Sequence, residues 1–261
     1  MKEMIQELVQ YRHLLYMLTW RDIKIKYKQS VMGFLWAIFM PMIIVASGIL
    51  VKKAFSMLSG KPLDLAQLAS VSVKAIPWAF FVSSIRFATN SLISNMNLVT
   101  KIYFPREVFP LAAVMANLFD FIVASTLLII ILTIAGVGAS IYLFWLPILL
   151  LLLILLVIGL GMILACANLF FRDVKYIVEV LLTFGIFFTP VFYEAEMFGR
   201  WAPVLLLNPV GAILESINAT VVLHQPPDMF WLGYSAIWAV GGLFVSWNIF
   251  HRAEFAFAEN I

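Results

Sequence analysis

Leu149-Leu150-Leu151-Leu152-Leu153-Ile154-Leu155-Leu156 is an apolar run without one polar side chain, and it lies inside a longer apolar stretch, 141–170. A helix rises about 1.5 Å per residue, so about 20 apolar residues cross a hydrocarbon core of about 30 Å. Working outward, five more stretches reach or approach that length: 31–51, 76–98, 108–135, 176–192 and 230–250. The stretch 176–192 is short and carries Glu179. In lipid every backbone polar group must be satisfied internally, so the spans are helices or a closed barrel. Continuous runs without period-two alternation argue against a barrel. The sequence predicts an all-α integral membrane protein with six transmembrane helices.

Composition agrees. Of 261 residues, 64% are hydrophobic and 12% charged, against about 25% charged in an ordinary soluble domain. This excludes a soluble enzyme, a nucleic-acid-binding domain and a disordered chain. The single cysteine, Cys166, excludes a disulfide framework and a cysteine-built zinc site.

Six crossings place both termini on one side. Of 17 Lys and Arg, Arg86 lies within a span and five (Lys52, Lys53, Lys61, Lys74 and Arg200) fall in the loops opposite the termini. The other eleven fall in the terminal segments and the second and fourth loops. The positive-inside rule therefore predicts cytoplasmic termini. Residues 1–30 read as a cytoplasmic segment and 31–261 as the transmembrane domain. Within the first, Ile5, Leu8, Val9, Leu15 and Leu18 recur at helical spacing. Such an amphipathic helix lies in the membrane interface or packs on a soluble partner. The loop 193–229, punctuated by Pro203, Pro209, Pro226 and Pro227, reads as short helices at or dipping into the outer interface, or as an ordinary amphipathic loop.

No catalytic or metal-binding motif is present. There is no G-x-x-x-x-G-K-[ST]; the only Gly-Lys, Gly60-Lys61, is followed by Pro62. His13, His224 and His251 lie in different segments, and neither H-E-x-x-H nor G-x-S-x-G occurs. The expectation is no catalytic residue, no metal and no cofactor in this chain. Polar residues inside spans are costly, which singles out Arg86 and Asp120. They are read as an interhelical ion pair, serving as glue between helices or as part of a transport path. Two deep aromatic sets, Trp36 with Phe39 and Phe184, Phe187, Phe188 and Phe192, suit a surface over which sugar rings slide, or helix filler. Arg21, Lys24, Lys26 and Lys28 form a basic cluster beside the first span that fixes topology or attracts an anionic head group such as a lipid diphosphate. Gly161–Ala165 and Ala112–Ala116 mark close helix contacts.

Several motifs then resemble a family. Arg21-Asp22-Ile23-Lys24-Ile25-Lys26-Tyr27-Lys28-Gln29-Ser30 precedes Gly33, Trp36 and Pro41, and Tyr103-Phe104-Pro105-Arg106-Glu107 follows the second span. Phe171-Arg172-Asp173-Val174, Thr189-Pro190-Val191-Phe192-Tyr193, Leu207-Asn208-Pro209 and the tail Glu254-Phe255-Ala256-Phe257-Ala258-Glu259 complete the pattern. In this order they resemble ABC-2 type exporter permeases, and among them the Wzm-type subunits that export O-antigen or related cell-surface polysaccharide.

The resemblance implies a homodimer carrying two nucleotide-binding ATPase subunits, which hold the ATP and Mg. It implies export of an undecaprenyl-diphosphate-linked polysaccharide across a bacterial inner membrane. It implies a coupling helix at 99–107, with Lys101, Tyr103, Phe104, Arg106 and Glu107 against the ATPase, gate helices at 193–229 and an interface helix at 4–20. The aromatic sets then line a pore at the dimer axis. A permease for teichoic acid, capsule, lipid or drug shares the pattern. A membrane enzyme acting on a lipid-linked sugar needs paired acids at one depth, and Asp120 and Glu179 lie at different depths.

Overall fold

The computed structural model describes residues 9–28, 33–59, 64–101 and 104–257. Helices dominate, and no strand occurs among the described residues. Among the described residues, five helices are long and apolar enough to cross a membrane. The first helix, α1 (Arg12–Tyr27), is followed by α2 (Trp36–Ser59), α3 (Leu65–Ser94) and the short α4 (Met96–Lys101). Next come α5 (Val108–Ile134), α6 (Leu146–Phe170) and α7 (Val174–Phe188). A 3-10 turn, Ala195–Trp201, leads to α8 (Ala202–Leu206) and α9 (Pro209–Val221). The last span, Met229–Glu254, is two helices, α10 (Met229–Ala236) and α11 (Gly242–Phe257), joined by a π turn at Ile237–Gly241.

Several expected boundaries move. The second span begins well before residue 76: α3 is 30 residues long, about 45 Å, so Lys74 belongs to a helix rather than to a loop. Most of α3 is buried, because α2, α5, α6, α7 and α9 all pack on it. The first span starts at Trp36 and carries Lys52 and Lys53 within its helix. The fifth expected span is shorter than 176–192. α7 has 15 residues, about 22 Å, which falls short of a hydrocarbon core of about 30 Å. Pro190 explains the stop, because it disfavours helix at the residue before it, and Thr189 is extended. The expected coupling helix does not run through to 107: α4 is described to Lys101, residues 102–103 lie outside the described residues, and Phe104–Glu107 form a turn.

α1 runs further than the 4–20 expected of an interface helix, whose residues 4–8 lie outside the described residues. It packs on α5 and buries Leu18 in a cluster with Leu92, Val99, Phe104, Phe109, Met162 and Phe250. This cluster fills the end of the bundle that holds the termini. A larger one fills the centre and opposite end, with Trp78, Phe80, Phe121, the α6 leucines and Ile213. Small residues let the helices close up. A Cβ at Gly161 would lie 2.9 Å from the Cβ of Ala88, and one at Gly159 would lie 3.0 Å from the Cα of Leu243. α6 therefore touches α3 and the last span almost backbone to backbone.

Candidate functional site

A cavity of about 400 Å³ lies between α1, α2, α3 and α5, with Trp36 in its wall, and one of about 520 Å³ lies between α1, α3 and α5; Lys26, Arg86 and Phe87 line both. Lys26 turns inward from α1. Its Nζ lies 2.8 Å from Asp120 Oδ2, donates to Asn117 Oδ1 at 2.6 Å and sits 4.5 Å from the Phe87 ring centre. Tyr27 donates its hydroxyl proton to Asp120, and Ser83 donates to Asn117 Oδ1 at 2.6 Å. Burial, with the hydrogen bond and charge of Asp120, holds the Tyr27 hydroxyl well above its usual pKa. The expected Arg86–Asp120 pair does not form. Arg86 makes a two-point contact with Glu179 of α7 at 2.7 and 2.8 Å, and Asp120 is taken by Lys26 and Tyr27. The exchange follows from length. A guanidinium matches a carboxylate with two parallel hydrogen bonds, and α7 brings Glu179 onto α3 at the height of Arg86.

The basic cluster is consequently divided. Arg21 is held by Asp22 at 2.8 Å, Lys24 lies 5.5 Å over the Trp20 ring, Lys26 is committed to α5, and Lys28 is exposed at the end of α1.

At the other end of the bundle a second charged group ties the 193–221 segment to α2 and α3. Lys74 is 0% exposed. Its Nζ donates to the Tyr193 carbonyl at 2.6 Å and lies 3.3 Å from Glu215 Oε1, which also accepts from the Ala195 N–H at 3.0 Å. Lys52 lies 3.4 Å from Glu194. Burial pushes the Glu215 carboxyl above the usual carboxylate range, although the Lys74 charge opposes the shift; burial also raises the Tyr193 hydroxyl.

The aromatic sets are largely exposed in the single chain. Trp36 and Phe39 stand on the open side of α2 with ring centres 5.7 Å apart, edge to face. Phe184, Phe187 and Phe188 are exposed on α7, together with Ile177, Val180 and Leu181, opposite the buried Val178 and Leu182. Phe192 does not extend that stripe. The helix ends at Phe188, and Phe192 folds against Gly48 of α2.

The coupling segment also departs from expectation. Phe104 is 6% exposed, with its ring centre 5.4 Å from that of Phe109 inside the terminal-end cluster. Its side chain is spent on the core of this chain. Glu107 is buried, and Arg106 Nη1 donates to the Glu254 carbonyl at 2.6 Å. Lys101 is the last described residue of α4, and Tyr103 lies outside the described residues.

Sequence reasoning missed Lys74, Glu215, Lys52 and Glu194 as a group. A signal existed: an apolar stretch continued N-terminal of residue 76 through Leu65, Ala66, Leu68 and Val71, and a helix drawn through it would have placed Lys74 inside.

Similarity to known proteins bears on these features. The model of the ABC-2 type transporter family matches residues 13–222. An O-antigen export system permease protein RfbA of Myxococcus xanthus is 29% identical over 264 aligned residues, covering 100% of both chains. Two proteins of the same name from Klebsiella pneumoniae are 26% and 27% identical, each over 94% of both chains.

Proposed function

This chain belongs to the ABC-2 type transporter family, and from that premise we propose that it is the membrane permease subunit of an exporter for a lipid-linked, O-antigen-like polysaccharide. The end-to-end similarity to O-antigen export permeases carries this reading. Two copies form a homodimer, and each engages a separate ATPase subunit that binds ATP and Mg. The absence of a phosphate-cradling Gly-Lys-Ser/Thr loop from the sequence supports a separate motor. The chain sits in the bacterial inner membrane with both termini in the cytoplasm, and the undecaprenyl-diphosphate-linked glycan moves from cytoplasm to periplasm. In this orientation Lys74–Glu215 and Lys52–Glu194 lie on the periplasmic side, where they hold the 193–221 gate segment.

The exposed aromatic faces of α2 and α7 support a pore between subunits. A two-fold axis doubles each exposed patch. Sugar rings then meet apolar C–H-binding walls from both copies without the tight hydrogen bonding that would stall a moving polymer. A membrane enzyme is disfavoured because Asp120 and Glu179 are each paired with a cation. Deleting the gene tests the reading. Surface polysaccharide should disappear and lipid-linked glycan should accumulate on the cytoplasmic leaflet. Surface polysaccharide made at the normal level would refute it.

A further inference from the structure

Three titratable side chains from two segments meet at the end of the bundle that holds the termini. Glu107 precedes α5, while His251 and Glu254 lie three apart on α11. One potential ligand atom from each lies within 4.8 Å of the others. We propose that Glu107, His251 and Glu254 bind a divalent ion of the zinc class, which fastens the 104–107 turn to the last helix.

Two observations carry this beyond a cluster of acids. The Glu107 side chain is 4% exposed, and its Oε2 is buried without a hydrogen-bond partner among the described residues. A buried carboxylate oxygen left that way is costly unless a cation meets it. The second observation is spacing. His251 Nδ1 lies 3.5 Å from Glu107 Oε1 and 3.8 Å from Glu254 Oε2. Charge-assisted hydrogen bonds run about 2.7–2.9 Å. Ligands about 2.0–2.1 Å from a tetrahedral ion stand about 3.3 Å from one another. The observed separations lie nearer the second spacing, and side-chain rotation closes the difference.

The donor set selects the ion class. Magnesium and calcium take oxygen ligands, whereas an imidazole beside two carboxylates suits zinc and its neighbours. Two carboxylates and one divalent ion also balance in charge. The neighbouring Arg106 engages Glu254. Its Nη1 is on the Glu254 carbonyl at 2.6 Å, and its backbone N–H donates to Glu254 Oε1 at 3.2 Å. That bond holds the carboxylate with Oε2 toward His251, as outer-sphere partners of metal ligands do. His251 and Glu254 are partly exposed, which gives an ion a way in from water. Nothing here depends on which cargo the transporter carries.

The test uses the full-length chain in detergent, purified by a tag without histidine and stripped with a chelator. His13→Ala and His224→Ala remove the other two histidines. Titration with cobalt(II), followed by its visible absorption, and with zinc(II) by calorimetry should show one ion per chain. Either His251→Gln or Glu107→Gln should weaken binding at least about tenfold. Zinc should raise the unfolding midpoint of the unsubstituted chain and leave that of His251→Gln unchanged. The partly exposed His251 serves if the Glu107 variant fails to fold. The proposal is overturned if the stripped chain binds no ion, or if His251→Gln binds as tightly as the parent. It is equally overturned if metal and chelator leave the parent's stability unchanged while His251→Gln lowers it, which would mark a proton-only clamp.

Discussion

Lys26 and Asp120, 94 positions apart in sequence, meet at 2.8 Å and pin α1 to the middle of α5. Their side chains are 14% and 22% exposed, so the pair is largely shielded from water. Removing one partner leaves the other's charge uncompensated. Lys26→Met should therefore cost roughly 1–3 kcal/mol of stability. The exchange Lys26→Asp with Asp120→Lys should restore part of it. Thermal unfolding in detergent measures both; equal stability of Lys26→Met and the parent would show that the tie contributes nothing.

Phe104 gives a test of the coupling turn. Phe104→Ala opens a cavity in the terminal-end cluster and should cost about 3–5 kcal/mol, seen as a sharp drop in monodisperse protein. A docking residue would instead leave folding intact and separate ATP hydrolysis from export. Normal yield and melting with uncoupled hydrolysis would reverse the assignment of Phe104 to the core.

The contact of α6 with the last span should tolerate no added carbon. Gly159→Ala places a methyl 3.0 Å from the backbone of Leu243, and overpacking of this kind costs about 1–3 kcal/mol. Gly233→Ala, where a Cβ meets nothing within 4 Å, is the control and should melt like the parent.

The exposed aromatics predict a labelling pattern. Cysteine at Trp36, Phe39, Phe184 or Phe188, in a Cys166→Ala background, should react with a water-soluble thiol reagent in membranes. Reaction only with lipid-soluble reagents would turn these faces toward the bilayer. Phe192→Cys should label slowly, because Phe192 packs on Gly48.

Glu215 sets a pH dependence. Its folded-state pKa is raised, chiefly by burial. A raised carboxyl binds its proton more readily when folded, so its contribution is fully present below the unfolded pKa and is lost as pH rises through the folded value. The parent should therefore gain stability relative to Glu215→Gln as pH falls from neutral into the usual carboxylate range. A difference that stays constant with pH would show that Glu215 titrates normally.

The apolar runs made the helices legible, because length and hydropathy answer to the solvent alone. The polar partners were not legible. Arg86 and Asp120 stood out as intramembrane charges, but which carboxylate meets which cation depends on helix rotation and height, and those are set by packing. Arg86 met Glu179 only because α7 crosses α3 at that level. Phe104 looked like a partner's anchor because a short turn between spans seemed open to water. Leu18 and Phe250, both far away in sequence, cover it together with the neighbouring Phe109. Lys74 was lost for a simpler reason: a charge was taken to mark a loop.

The early end of α7 has a consequence for the lipid around it. A helix of 15 residues leaves about 8 Å of a hydrocarbon layer of about 30 Å uncrossed. The chain covers that remainder with irregular backbone after Thr189, where Val191 N–H bonds back to the Thr189 carbonyl at 2.7 Å and the Tyr193 hydroxyl to the Phe187 carbonyl at 2.8 Å. Protein covers this stretch: Thr189 and Val191 are buried, the Tyr193 carbonyl accepts from Lys74 and the Ala195 N–H donates to Glu215, so irregular backbone is tolerated there without contact with acyl chains. Protein rather than lipid therefore fills the depth beyond the end of α7.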